Sequence, residues 1–217
     1  MMICEVNGVQ LYYEKYGEGR PIILVHGNGE SHEIFDVLID ALCKTHTVYA
    51  VDSRGHGRSS KRVAISYALM AEDYRAFIET LGIEKPVWYG FSDGGIIGLM
   101  LALQAPDLLG KLIISGANLN PKGLKWQARL SMWPAALRGD ALYQMMLREP
   151  QLPARVLKRI KVPTVVLAGA HDCIRSAHTA LIAESIPGSV LEIIPHATHG
   201  SYIVHSDKLY PILKKYL

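Results

Sequence analysis

Ser92 sits in Gly90-Phe91-Ser92-Asp93-Gly94, between the apolar run Pro86 to Tyr89 and the small-residue run Gly95 to Ala105. A serine hydroxyl is a poor nucleophile until a base takes its proton and an acid orients that base. Glycine two residues before and two after a serine fits a tight strand-to-helix turn, where side chains at those positions would clash and the serine is held at strained backbone angles. The flanks supply both halves of such a turn. Lys85 to Phe91 is rich in aromatic and β-branched residues, and Gly94 to Leu103 is apolar all round with small residues on one side. The pentapeptide therefore reads as a nucleophile elbow.

The partners of such a serine must come from later loops at strand ends. His199 follows the strand-like Val190 to Ile194 through Pro-His-Ala-Thr, and Asp172 follows Thr164 to Ala168 through Gly-Ala-His. The chain order Ser, Asp, His is the one this architecture uses. Nine histidines offer rivals, of which His196 is nearest, but its loop has less reach toward Ser92, and His205 falls in the following segment as a structural residue. The loop after Lys111 to Ser115 contains Gly116, Ala117 and Asn118 and no carboxylate, which favours Asp172 as the acid; its other reading is as a helix cap before Ile174 to Ile186. Charge on a substrate oxygen needs backbone N–H donors, one from the residue after the nucleophile and one from an earlier loop. His26-Gly27-Asn28-Gly29 supplies that loop, so the donors are assigned to the amides of Asn28 and Asp93, with His26 itself structural.

The elements that must hold these groups alternate between strands and helices. Asn7-Gly8 predicts a two-residue hairpin joining Ile3 to Val6 with Val9 to Tyr16. Short runs beginning at Pro21, Thr47, Pro86, Lys111, Pro163 and Val190 are apolar on both faces, as in a buried parallel sheet. Helical spacing marks Ser31 to Cys43 and Tyr67 to Leu81, the latter with Ser66 as N-cap and Gly82 as stop, and Leu209 to Leu217 closes the chain. This pattern predicts a doubly wound α/β sheet with ligands beyond the carboxyl ends of its strands. The exception is residues 118–161, a 44-residue stretch without a strand that reads as a helical cap inserted into a single domain spanning 1–217. Trp126, Leu130, Trp133 and Leu137 recur there on one helix face, and Met145 and Met146 follow on a second segment. Such side chains make adaptable apolar pockets, so Trp126, Leu130, Trp133, Met145 and Met146 are the expected substrate-pocket residues; they could equally seal the cap onto the core.

Composition narrows the rest. The chain has 217 residues, 49% hydrophobic and 20% charged, with a net charge of +3 and no long basic tract, which sets nucleic acid aside. No uncharged apolar run approaches the roughly 18 residues of a membrane span, and the N-terminal residues carry no basic leader, so no membrane partner and a cytoplasmic location are expected. Cys4, Cys43 and Cys173 lack metal-type spacing, so neither a disulfide framework nor a metal site is expected. Nine basic residues against two acidic ones in 118–161 could steer an anionic substrate or could simply form a solvated outer face.

Five motifs in order, namely His26-Gly-Asn-Gly, Asp52-Ser-Arg-Gly-His-Gly-Arg-Ser59, Gly90-Phe-Ser-Asp-Gly, the Ala168-Gly-Ala-His-Asp172 loop and the Ala197-Thr-His199 loop, resemble the alpha/beta hydrolase superfamily over nearly the whole chain. The resemblance implies an α/β fold with a mostly parallel twisted sheet, an antiparallel N-terminal hairpin, helices on both faces and a short cap. It further implies a cofactor-independent serine hydrolase with Ser92, Asp172 and His199 as triad. Ser92 in place of aspartate argues against the epoxide hydrolase and haloalkane dehalogenase branches. The segment Asp52 to Ser59 lacks the Lys-Ser/Thr ending of a phosphate loop and reads as a structural turn. Asp93 after the nucleophile is similar to the valacyclovir hydrolase-like branch, which hydrolyses amino-acid esters; its carboxylate would then anchor a substrate ammonium, or otherwise favour a helix N-terminus. A carboxylic ester with a small to medium acyl group is the expected substrate. Amide, C–C bond and peracid chemistry on the same triad, or a slow-turnover small-ligand receptor, are the alternatives.

Overall fold

The computed structural model describes residues 2–217. The Asn7-Gly8 turn, with φ of 46° and 74°, joins β1 (Met2–Val6) to β2 (Val9–Tyr16) as the antiparallel hairpin that the dipeptide predicts. Then follow β3 (Arg20–Val25), α1 (Asp36–Leu42), β4 (His46–Val51), α2 (Tyr67–Thr80), β5 (Val87–Phe91), α3 (Asp93–Gln104) and β6 (Lys111–Ser115). After the inserted helices α4 (Trp126–Leu137) and α5 (Ala141–Arg148) come β7 (Thr164–Gly169), α6 (Ser176–Ser185), β8 (Val190–Ile194) and α7 (Leu209–Leu213). One eight-stranded sheet results, in the order β1-β2-β4-β3-β5-β6-β7-β8, parallel from β4 to β8.

Alternation along the central strands builds two cores. Ile23, Val25, Trp88, Leu112 and Ile114 face one layer with α2, α3 and α6, through Tyr74, Phe77, Leu99 and Ile182. Ile22, Leu24, Tyr89 and Ile113 face the other with α1 and α7, through Leu38, Leu42 and Leu213. Burial on both faces is why these strands read as continuous apolar runs. The outermost strand β8 departs from that reading: Val190, Leu191 and Ile193 are exposed because the strand has a neighbour on one side only. The Ser66 hydroxyl caps α2 by accepting from the Leu69 amide. Among the described residues, no helix is long and apolar enough to cross a membrane.

The loop after β4 is held by buried charge. Asp52 accepts from the His32 backbone and ring and from the Arg58 amide, which holds its pKa down near about 2 against the opposing effect of burial. Arg54 makes a two-pronged contact with Asp73 of α2 at 2.5 and 2.6 Å, and Asn7 of the hairpin turn donates to the same carboxylate. The segment Asp52 to Ser59 is thus a structural brace tying sheet, hairpin and α2 together. Arg54→Met, which strands the Asp73 carboxylate in the interior, should lower the unfolding free energy in urea by about 3–5 kcal/mol. A loss under about 1 kcal/mol would show that the pair is dispensable.

Candidate active site

Ser92 takes φ +52° and ψ −110° between β5 and α3, backbone angles that need close support. A Cβ on Gly90 would lie 2.1 Å from the Gly94 carbonyl oxygen, and one on Gly94 would lie 2.2 Å from the Val25 carbonyl oxygen. Only glycine lets β5, α3 and β3 approach this closely. The turn is pinned from three sides: Ser92 N–H donates to the Ser115 carbonyl, Gly94 N–H to the His26 carbonyl, and the buried Trp88 indole to the Gly94 carbonyl at 3.0 Å.

The loops after β7 and β8 bring the other two groups to it. Ser92 Oγ lies 3.0 Å from His199 Nε2, and His199 Nδ1 lies 2.7 Å from Asp172 Oδ1. The imidazole fits under Gly116, where a Cβ would stand 2.6 Å from its Cε1, and it packs on the Phe91 ring. Burial disfavours the imidazolium, but the hydrogen bond and charge of Asp172, with Cys173 adding to them, outweigh it and raise the His199 pKa. Burial likewise works against the Asp172 carboxylate, and His199 together with the Ile174 amide outweighs it and lowers its pKa. The same Asp172 oxygen accepts from the Ile174 amide, a local turn ahead of Arg175, which stands at the N-cap of α6, so Asp172 does not cap that helix. Of the rival histidines, His196 is exposed on the turn after β8 and His205 pairs with Asp36 at the surface.

His26 donates from Nδ1 to the Gly27 carbonyl and accepts the Ser53 N–H at Nε2; its complete burial drives its pKa down to about 4 and keeps it neutral. It joins the brace to the loop 27–30. The Asn28 and Asp93 amides donate to no described group, and Asn28 lines the cavity beside Ser92. The Asp93 side chain turns the other way. It is 3% exposed, with one oxygen accepting from Tyr67 and the other from the Asn28 side chain, so it anchors the loop and offers no free carboxylate to a substrate. Burial raises its pKa, against the two hydrogen bonds that lower it.

A cavity of about 220 Å³ opens over Ser92 and His199, closed by Leu124, Met132, Tyr143 and Met146 of the inserted segment. Met146 is where the sequence places it. Met145 instead packs in the core beneath, and Trp126, Leu130 and Trp133 are 65%, 59% and 48% exposed on the outer face of α4. The expectation for these four is corrected. The inward face of α4 is Ala128, Met132 and Ala136, of which Ala128 and Met132 pack with Ile174 and with Tyr143, Met146 and Leu147 of α5. Glu30 and Cys173 are polar residues of the cavity that the sequence reading did not assign to the site. Glu30 lines the cavity and accepts the Gly27 amide at 2.9 Å through Oε2, and Cys173 lies beside the Asp172–His199 pair. Both were signalled by position alone, one in the loop already assigned to the oxyanion and one adjacent to the acid. No Lys or Arg lines the cavity.

A family model described as alpha/beta hydrolase fold matches residues 20–149. The chain is 27% identical over 246 residues to serine hydrolase BPHL of Homo sapiens, covering 98% of this chain and 84% of that protein. It is 26% identical over 257 residues to AB hydrolase superfamily protein YisY of Bacillus subtilis, covering 96% and 95%. Est816, described as an N-acyl homoserine lactone degrading enzyme, matches the whole of both chains with a TM-score of 0.85 at 24% identity. A thermophilic esterase from Thermogutta terrifontis covers 99% of this chain and 95% of its own with a TM-score of 0.80 at 22% identity. At such identities structural likeness speaks for the fold. The sheet order, the elbow at Ser92 and the family match over residues 20–149 together place this chain in the alpha/beta hydrolase fold family.

Proposed function

We propose that this hydrolase is a serine esterase that works through an acyl-enzyme at Ser92, and the observation that carries the reading is the unbroken relay from Ser92 Oγ through His199 to Asp172 at 3.0 and 2.7 Å. Ser92 Oγ attacks the ester carbonyl while its proton passes to His199 Nε2. The resulting oxyanion is met by the Asn28 and Asp93 amides, and His199 returns the proton to the departing alcohol. Water then repeats the sequence on the acyl-enzyme, giving up a proton to His199 and restoring Ser92. Ser92→Ala should lose roughly 10⁴-fold or more in kcat on p-nitrophenyl acetate and lose labelling by a fluorophosphonate. Tight ligand binding by a wild type with negligible turnover would favour a receptor instead.

Asp172 stabilises the charged form of His199, and only the neutral form accepts the Ser92 proton. Activity should therefore rise with pH through a value above the 6.5 of an unperturbed imidazole. Asp172→Asn removes the charge that favours imidazolium, so the acid limb of the kcat/KM profile should move to lower pH while kcat falls by about 10⁴-fold. A limb that stays in place would dissociate Asp172 from the titration.

The cavity admits a small to medium acyl group, and its only carboxylate free of the relay is Glu30. A methyl group built on Gly27 would touch both Glu30 Oε2 and Ser92 Cβ, at 2.7 and 3.1 Å, which puts this carboxylate on the nucleophile's side of the loop. Burial raises its pKa, so its charge is poorly solvated and repels another anion. Neutral or cationic esters are accordingly the preferred class, since the basic residues of the inserted segment, exposed except for the half-buried Arg129, do not line the cavity. Glu30→Gln should raise kcat/KM for half-esters of dicarboxylic acids relative to matched neutral esters by about tenfold, roughly 1.4 kcal/mol. An unchanged ratio would limit Glu30 to closing its own turn.

A further inference from the structure

Cys173 follows the carboxylate that orients His199, and the fold makes this sequence neighbour a third donor beside the pair. Ligand atoms of Asp172, Cys173 and His199 all lie within 4.8 Å of one another. A second observation points to a ligand there: Asp172 is 3% exposed, and its Oδ2 is buried with no hydrogen-bond partner among the described residues, while Oδ1 serves His199 and the Ile174 amide. Cys173 is a free, half-buried thiol. It borders both the catalytic cavity and a shallow surface depression with Lys125, Gln127, His171 and Thr198, so an ion can enter from solvent.

Thiolate sulfur, imidazole nitrogen and carboxylate oxygen are the donors that tetrahedral zinc takes, at about 2.0–2.3 Å, with neighbouring donors roughly 3.5 Å apart. In the present structure the three donors lie within 4.8 Å of one another, with His199 Nδ1 and Asp172 Oδ1 at 2.7 Å, so binding requires the half-buried Cys173 and His199 side chains to turn toward a common centre. We propose that Asp172, Cys173 and His199 form a binding site for a thiophilic divalent cation of the Zn²⁺ type, whose occupation switches hydrolysis off.

The inhibitory half of this inference rests on the triad reading above; the binding half does not. As the metal–sulfur bond forms, the thiol proton leaves to solvent. Metal on Nε2 consumes the lone pair that accepts the Ser92 proton. Metal on Nδ1 displaces that nitrogen's proton to solvent and breaks the hydrogen bond to Asp172. Either way the relay is interrupted without any change at Ser92 itself.

The test uses Co²⁺ as a spectroscopic probe on the intact chain, kept reduced with a non-thiol reductant. Wild type and Ser92→Ala should both develop a sulfur-to-cobalt charge-transfer band that Zn²⁺ abolishes by competition, and Cys173→Ser and Cys173→Ala, checked for folding by thermal melting, should not. In parallel, Zn²⁺ should inhibit ester hydrolysis by the wild type at a midpoint at least tenfold below that of the Cys173 variants, each measured against its own metal-free rate, with chelator restoring activity. Surface histidines are common to all variants, so equal inhibition of wild type and Cys173 variants would overturn the proposal, as would absence of the band. A band in a protein without esterase activity would support the cation site and overturn the esterase reading.

Discussion

The arrangement of Ser92, His199 and Asp172 depends on how closely three pieces of backbone approach one another at the turn that carries Ser92. Gly94 rests against the last residue of β3 and Gly90 against Gly94, with no space for a methyl group at either point. That contact lets α3 start directly at the sheet edge and holds Ser92 at a positive φ. Such strain persists only when the surroundings over-determine it. Here they do, through Ser115, His26 and the indole of Trp88, each fixed on a different element.

The same contacts make the loop 27–30 an extension of the core. From Asp73 on α2, buried polar links run through Arg54 to the loop after β4, through the Ser53 amide to His26, and from the His26 carbonyl to the first turn of α3. Asp93 closes the circuit by holding Asn28 on one side and Tyr67 on the other. Both oxygens of its buried carboxylate are committed, one to the Tyr67 hydroxyl and one to the Asn28 side chain. In the proposed mechanism this rigidity has a value, because preorganised amides cost no reorganisation when charge develops.

The fold was legible in the sequence wherever burial is two-sided or a turn is chemically specified. Central strands, the Asn7-Gly8 hairpin, Ser66 as cap and the glycine-framed Ser92 all have local causes, and the order of the loops carrying Asp172 and His199 follows from chain direction. Outside the core the signal failed for a physical reason. The stripe of Trp126, Leu130, Trp133 and Leu137 has the spacing of a buried face, but periodicity states only that a helix has an apolar side, not that anything lies opposite it. The side that packs is the one with Ala128, Met132 and Ala136, where Met132 meets Ile174 and the apolar face of α5. Asp93 and Glu30 illustrate a second limit: which of two nearby carboxylates faces a cavity depends on partners such as Tyr67, many residues distant in the chain.

The three tryptophans divide in a way that has optical consequences. Trp88 is sealed beneath the elbow with its indole N–H on the Gly94 carbonyl, whereas Trp126 and Trp133 stand in solvent on α4. Intrinsic emission is therefore a sum of two populations. A soluble quencher silences the outer pair first, and the blue-shifted remainder reports on the backbone contact beneath Ser92 alone. The protein thus carries its own probe of the strained turn, one that needs no label and is spectrally separable from events at the surface of the inserted helices.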